Sequence, residues 1–331
     1  MRKRILSLLL TVAVLLSLCA CGAEEAKDDG KLTVVATLFP YYDIARAIAG
    51  DRANISLLIS AGRESHSYEP TPLDIITISR ADLFLYNGGT DETWATEVLA
   101  VTDHGTTIPM LEQVEKREEQ MVEGMQADRG HDHEEKDCDA PEHGHEAEND
   151  PHAHEVEYDE HIWTSPINAM TIAKVTAEAL SALDGENAAY YEENLHAYLA
   201  ELSALDAALR ETVAGGNRKL IVLADRFPLL YFCEEYGLDY RAAFLGCSTE
   251  TEPSAATMAY LIDRVRNEQI PCVYYLENSS GIVAEAIAEA TNAEPCHIYS
   301  CQTITVDDHR NGETYLSLMW RNVEALKKGL A

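Results

Sequence analysis

Two histidines lie in segments whose composition suits metal ligation. His66 falls in the loop Gly62-Arg63-Glu64-Ser65-His66-Ser67-Tyr68-Glu69-Pro70-Thr71-Pro72, just past an apolar run. His161 falls in Tyr158-Asp159-Glu160-His161-Ile162-Trp163-Thr164-Ser165-Pro166, beside carboxylates and a tryptophan. Neutral imidazole is a strong donor to Zn²⁺, and carboxylates complete tetrahedral sites. A third segment, Leu223-Ala224-Asp225-Arg226-Phe227-Pro228, ends an apolar run on a carboxylate. Its bland alternative is a salt bridge or a cap for a helix starting near Phe227. Glu277 ends a further apolar run; Glu250 and Glu252 are weaker carboxylate candidates.

A different pattern fills the middle of the chain. His131, His133, His143, His145, His152 and His154 form three H-x-H pairs interleaved with Asp and Glu. Glu112 to Glu160 hold 19 acidic residues against four basic ones, a net −15 of the chain's −32. With almost no aliphatic periodicity, residues 112–157 read as an acidic, His-rich disordered loop. Such a tract loses conformational entropy when it binds, so it is read as a low-affinity metal loop. It favours zinc over manganese, which prefers oxygen donors.

The same features exclude other classes. The charge of −32 argues against nucleic acid, whose partners carry basic patches. A zinc hydrolase needs an open coordination position and a general base. No HExxH occurs: His154-Glu155 is followed by Val156-Glu157-Tyr158. No catalytic residues are assigned, and no CxxC pair supports a zinc ribbon.

The elements that position these residues follow an α/β rhythm. Met1-Arg2-Lys3-Arg4, the apolar run Ile5 to Leu18 and Leu18-Cys19-Ala20-Cys21 describe a signal peptide over 1–20. The run is too short to span a bilayer. Its end resembles a bacterial lipobox, which makes Cys21 the lipidated residue and 21–30 a tether. Strands are expected at Leu32 to Thr37, Ile55 to Ser60 and Leu83 to Tyr86, with helices between them, giving an N-terminal lobe over 31–186. A long amphipathic helix over 187–214 links it to a second α/β series over 215–331. The predicted fold is α/β: two lobes, each a small parallel sheet flanked by helices, joined by one long rigid helix. Ligands in open α/β sheets bind at the carboxyl ends of strands. Cys272 and Cys296 fall in consecutive C-lobe strands and can form a disulfide if in register; Cys247 and Cys301 each follow a strand and allow a second.

HSYEPTP, EHIWTSP, the long helix and the two α/β halves resemble the solute-binding proteins of zinc and manganese ABC importers, over about Leu32 to Leu330. DRFPLLYFCEEYGL and GCSTETEPS look like a Gram-positive-type branch of the zinc group. The resemblance implies one metal between the lobes, with His66 and His161 as the first two ligands. It implies delivery to an ABC permease and ATPase, by a monomer on the outer face of the cytoplasmic membrane. The cargo is then Zn²⁺, with Mn²⁺ as the alternative, and a surface metal-storage or adhesin module as the other reading. The chain departs from the family in its C-lobe. Aligned on Tyr231-Phe232 and Tyr236-Gly237-Leu238, Arg226 stands where the family has a histidine or glutamate. Arginine has no lone pair to offer. The expected set is therefore His66, His161 and Asp225, with Glu277 or water completing it; Cys301 is a thiolate candidate if unbridged.

Overall fold

The computed structural model describes residues 30–126, 157–248 and 252–331. Leu32–Ala331 form one compact unit. The expected signal peptide, Cys21, the six loop histidines from His131 to His154 and Glu250 lie outside the described residues. Among the described residues, no helix is long and apolar enough to cross a membrane.

The first sheet grows from β1 (Leu32–Ala36), whose Val34, Val35 and Ala36 are fully buried. Strands covered on both faces read as continuous apolar runs, as LTVVA does here. Then come α1 (Phe39–Ala49), β2 (Ala53–Leu57), α2 (Pro72–Ser79), β3 (Leu83–Tyr86), α3 (Thr93–Val101) and β4 (Thr106–Pro109). All pairings are parallel, in the order β2-β1-β3-β4. Thr71 and Asp74 form a reciprocal capping box that starts α2 at Pro72 and so ends the His66 loop. A short antiparallel ribbon of β5 (Arg117–Glu118) and β6 (Tyr158–Asp159) leads through the turn Ile162–Thr164 into α4 (Pro166–Leu183).

The long helix is α5 (Ala188–Gly215), 28 residues or about 42 Å. Its buried residues, Tyr191, Tyr198, Leu202, Leu205, Leu209 and Val213, recur at helical spacing. The second sheet consists of β7 (Leu220–Phe227), β8 (Asp239–Leu245), β9 (Cys272–Tyr275) and β10 (Glu294–His297), all parallel, in the order β10-β9-β7-β8. The helices of this half are α6 (Leu230–Tyr236), α7 (Ala255–Asn267), α8 (Ile282–Ala290), α9 (Val306–Arg310) and α10 (Tyr315–Gly329). Helix α5 packs on α1 and α4 of the first half and on α6 and α10 of the second. A single rigid element is thus shared by both lobes.

Three expectations change. First, 112–126 are ordered. Val114, Val122 and Met125 pack on the core, and Gln126 pairs with Phe244 along the β8 edge. The segment lacks periodicity because it crosses between lobes on scattered anchors, such as Arg117 N–H donating to Tyr231 Oη at 3.0 Å. Second, β7 continues through Asp225 and Arg226 to Phe227, and α6 starts only at Leu230, so Asp225 caps no helix. Third, Cys247 and Cys301 are separate thiols. They follow β8 and β10, the two outer strands of the sheet, which lie three strand spacings or about 14 Å apart. A disulfide needs Cα atoms about 4.4–6.8 Å apart.

Cys272 and Cys296 are joined, with Cα atoms 5.7 Å apart, tying β9 to β10. The bridge closes a loop with a sequence separation of 24. Replacing both cysteines by serine should lower stability by about 3 kcal/mol through the larger entropy of the unfolded chain. Urea unfolding of the double variant against the oxidised parent measures this. An unchanged midpoint would mean that the bridge constrains nothing.

Candidate metal centre

Most of the chemistry-bearing segments hang from the carboxyl end of a strand. In the first sheet the chain reverses its order between β1 and β3, and in the second between β7 and β9. These are the crevices where open α/β sheets bind ligands. The His66 loop follows β2 and is pinned to the other lobe by Gly62 N–H donating to Ile304 O at 2.8 Å. Tyr68 Oη donates to Asp74 at 2.7 Å and fixes the loop's far end. The His66 side chain is 2% exposed, and its Nδ1 lies 2.7 Å from Asp91 Oδ2.

Asp91 sits in the turn after β3, Asn87-Gly88-Gly89-Thr90-Asp91-Glu92. Gly89 has φ +81°, and the Glu160 carboxylate lies where a Cβ would stand. Only glycine meets both demands. Glu160 Oε1 accepts from Thr90 Oγ1 at 2.8 Å and from Asp91 N–H at 3.3 Å, so Glu160 holds the Asp91 turn in place.

His161 is fully buried. Its backbone N–H donates to Asp159 Oδ1 at 2.8 Å, and its Nδ1 lies 3.2 Å from the same oxygen. The Nε2 is buried, with no hydrogen-bond partner among the described residues. The ring centroid lies 5.6 Å from that of His66 and 5.6 Å from that of Trp163. Trp163 is wall rather than platform: its Nε1 donates to Ser300 O of the second lobe at 2.8 Å. Burial pulls the His161 imidazolium down, but Asp159 first, then Asp91 and Glu119, outweigh it, and the net direction is up.

The second lobe reaches the histidines through Gly246-Cys247, just after β8. A Cβ on Gly246 would lie 3.1 Å from His161 Cε1 and 2.9 Å from Phe227 O. Gly246 N–H donates to Glu119 Oε1 at 2.9 Å. The Cys247 thiol lies against the Asp91 carboxylate. Among the described residues, donor atoms of His66, Asp91 and Cys247 form one group, all within 4.8 Å of one another. Burial, then Asp91, Glu119, Asp159 and Glu160, push the Cys247 thiol well above its usual range. At Asp91 burial raises the carboxyl, but the contacts with His66 and Cys247 outweigh it and hold it low.

The carboxylates expected from the C-lobe, Asp225 and Glu277, line the His66 cavity and accept hydrogen bonds there. Asp225 accepts from Arg226 N–H at 2.8 Å and from Leu276 N–H at 3.5 Å, so it joins β7 to the end of β9. Glu277 accepts from Ser300 N–H at 2.8 Å and Ser300 Oγ at 2.7 Å. Both line the same cavity as His66, with Glu64 and Arg226; like His161, they stand outside the tight donor group. Arg226 Nη2 pairs with Glu64 Oε2 at 3.0 Å. Cys301 is fully buried, and Glu252 is exposed. His196 and His309 are exposed; His297 stacks on Tyr275 and meets Tyr299 at a tilt. Asp91 does not stand out in the sequence and Cys247 enters there only as a disulfide candidate, although both lie in glycine-containing turns that follow strand ends.

The chain matches the family described as zinc-uptake complex component A, periplasmic, over residues 34–329. It belongs to that family. It is 32% identical over 326 residues to the zinc-binding lipoprotein AdcA of Streptococcus pneumoniae TIGR4, covering 98% of this chain and 60% of the relative. It thus spans about three-fifths of the length of that relative. It is 29% identical over 337 residues to the high-affinity zinc uptake system protein ZnuA of Bacillus subtilis, covering 100% of this chain and 99% of the relative. The crystal structure of the Zn(II)-bound ZnuA-like domain of S. pneumoniae AdcA superposes with a TM-score of 0.71 at 28% identity, covering 91% of this chain and 99% of that one. The two parallel sheets sharing a long helix are therefore the architecture of the zinc-uptake component A family.

The close approach at Gly246 generates a test of the geometry. Gly246→Ala must displace either the His161 ring or the Phe227 carbonyl, which overpacks the centre at a cost of about 1–3 kcal/mol. Urea unfolding without added metal should show that loss. Unchanged stability would mean that the His161 ring and β7 are looser than they stand.

Proposed function

We propose that this chain is an extracytoplasmic solute-binding protein that captures Zn²⁺ between its lobes and delivers it to an ABC permease and ATPase. It binds without turnover and is held to the outer face of the cytoplasmic membrane by a lipid on Cys21. The observation that carries this reading is the His161 Nε2, buried with no partner among the described residues, on a ring 5.6 Å from that of His66. A buried, unsatisfied polar atom costs about 1–3 kcal/mol. A cation accepting that lone pair removes the penalty.

The donor set fits zinc. Asp159 beside His161 Nδ1 reproduces the carboxylate–histidine arrangement that fixes the tautomer and turns Nε2 toward a metal. The surroundings are rich in carboxylates, which favours a dication, and Trp163 and Tyr41 seal the inner wall from water. His66 and His161 are the ligands proposed from the first lobe. The loop histidines from His131 to His154 are proposed as a weaker, separate zinc store.

Native mass spectrometry with metal analysis tests both parts. The intact chain should hold one tight Zn²⁺ plus several weak equivalents. Deleting Gly130 to Glu155 should remove only the weak ones. His161→Ala should weaken the tight site by more than the ~10–100-fold typical of losing a supporting hydrogen bond. Tight binding that disappears with the loop, or survives in the His161 variant, would refute the two-site reading.

A further inference from the structure

The remaining ligands can be assigned from what the two lobes place against the histidines. We propose that Cys247 supplies a thiolate and Asp91 a carboxylate to the Zn²⁺ held by His66 and His161, giving a two-nitrogen, one-oxygen, one-sulfur site. This rests on the reading of the cleft as a zinc site.

Several independent observations converge on it. Donor atoms of His66, Asp91 and Cys247 already lie within 4.8 Å of one another. Donors about 2.0–2.3 Å from a shared zinc would be separated by roughly 3–4 Å, so small side-chain movements bring these three to one ion, and His161, outside the group with its ring 5.6 Å from that of His66, turns in to complete the shell. His161 brings the buried, unpartnered Nε2. Gly246 allows the Cys247 turn to close on the His161 ring, and any side chain there would hold the thiol away. Cys247 is not in a disulfide. The competing donors are engaged: Asp225 and Glu277 accept backbone N–H groups, and Arg226, paired with Glu64, has no lone pair.

Binding replaces the contacts among the three groups by bonds to the ion. The thiol S–H breaks as the S–Zn bond forms, and its proton leaves to solvent. Asp91 exchanges its contacts with His66 and the thiol for the metal. The consequence is selectivity: thiolate suits zinc, whereas Mn²⁺ prefers carboxylate, carbonyl and water oxygens.

Cobalt titration of the full chain reads the sulfur directly. The first tight equivalent of Co²⁺ should give a near-ultraviolet thiolate-to-cobalt charge-transfer band. It should persist in Cys138→Ser and vanish in Cys247→Ser. Cys247→Ser and Asp91→Asn should each weaken Zn²⁺ by more than about 100-fold, beyond what a supporting contact is worth. Cys247→Ser should also narrow the zinc-over-manganese preference by at least about tenfold. Urea midpoints close to the parent's confirm that the variants are folded. Tight, His161-dependent binding without a thiolate band overturns the inference and leaves the zinc reading standing. A loss of 100-fold or less in Asp91→Asn confines Asp91 to positioning His66 and overturns the carboxylate half. Absence of any tight equivalent in the parent sinks the inference and the zinc reading together.

Discussion

The metal centre depends on burying an imidazole whose outer nitrogen stays free. His161 is fully covered, and its Nε2 has no partner among the described residues. Proteins avoid such groups because the desolvation is uncompensated. Here three pieces of structure maintain it. Asp159 occupies the other ring nitrogen, Trp163 backs the ring, and Gly246 presses against its edge. Each comes from a different segment, so the orphan nitrogen depends on the whole assembly of β6, the Ile162–Thr164 turn and the β8 end.

Holding two lobes around such a point requires contacts that cross between them without filling the centre. The long helix α5 supplies the fixed frame by packing on helices of both halves. Nearer the site the ties are directional. Trp163 Nε1 donates to Ser300 O, Tyr315 Oη donates to Trp163 O at 2.6 Å, and Phe39 N–H donates to Gln302 O at 3.2 Å. Tyr315 N–H also reaches Asp43, at 2.8 Å, so the start of α10 is bonded to α1 as well as to the Trp163 turn. Backbone carbonyls of 300–304 therefore meet the first lobe along one side, and the Glu64–Arg226 pair meets it at the mouth.

The legible part of this arrangement was whatever repeats or alternates. Apolar runs such as LTVVA and the spaced buried residues of α5 announce buried strands and a long helix, because periodicity is local information. His66 and His161 stood out because histidine is flanked there by carboxylates and prolines. Asp91 and Cys247 did not, since each becomes a candidate donor only when strands distant in sequence are aligned. Cys247 was paired with Cys301 on the reasonable ground that both follow strands. Only the strand order, with β8 and β10 at opposite edges, separates them. Residues 117–126 hid for the same reason: their anchors, Tyr231 and the β8 edge, are supplied by another part of the chain.

Arg226 shows how the second lobe accommodates its departure from the family pattern. A guanidinium where a donor is expected would oppose a dication unless its charge were committed elsewhere. Glu64, two residues before His66, takes it in an ion pair, and Asp225 and Glu277 add attraction from behind. Burial works against the guanidinium, yet these carboxylates outweigh it and raise its affinity for the proton. The cation is thus absorbed on the β7 side of the crevice. On the β8 side Glu119, Asp159 and Asp91 gather around Cys247, and the Arg226 guanidinium reaches only the Ser248 carbonyl beyond it, at 3.4 Å. An incoming dication lowers the electrostatic energy among these carboxylates. In the proposed site the second lobe's donor stands after β8, and Arg226 on β7 pairs with Glu64 across the mouth of the cleft.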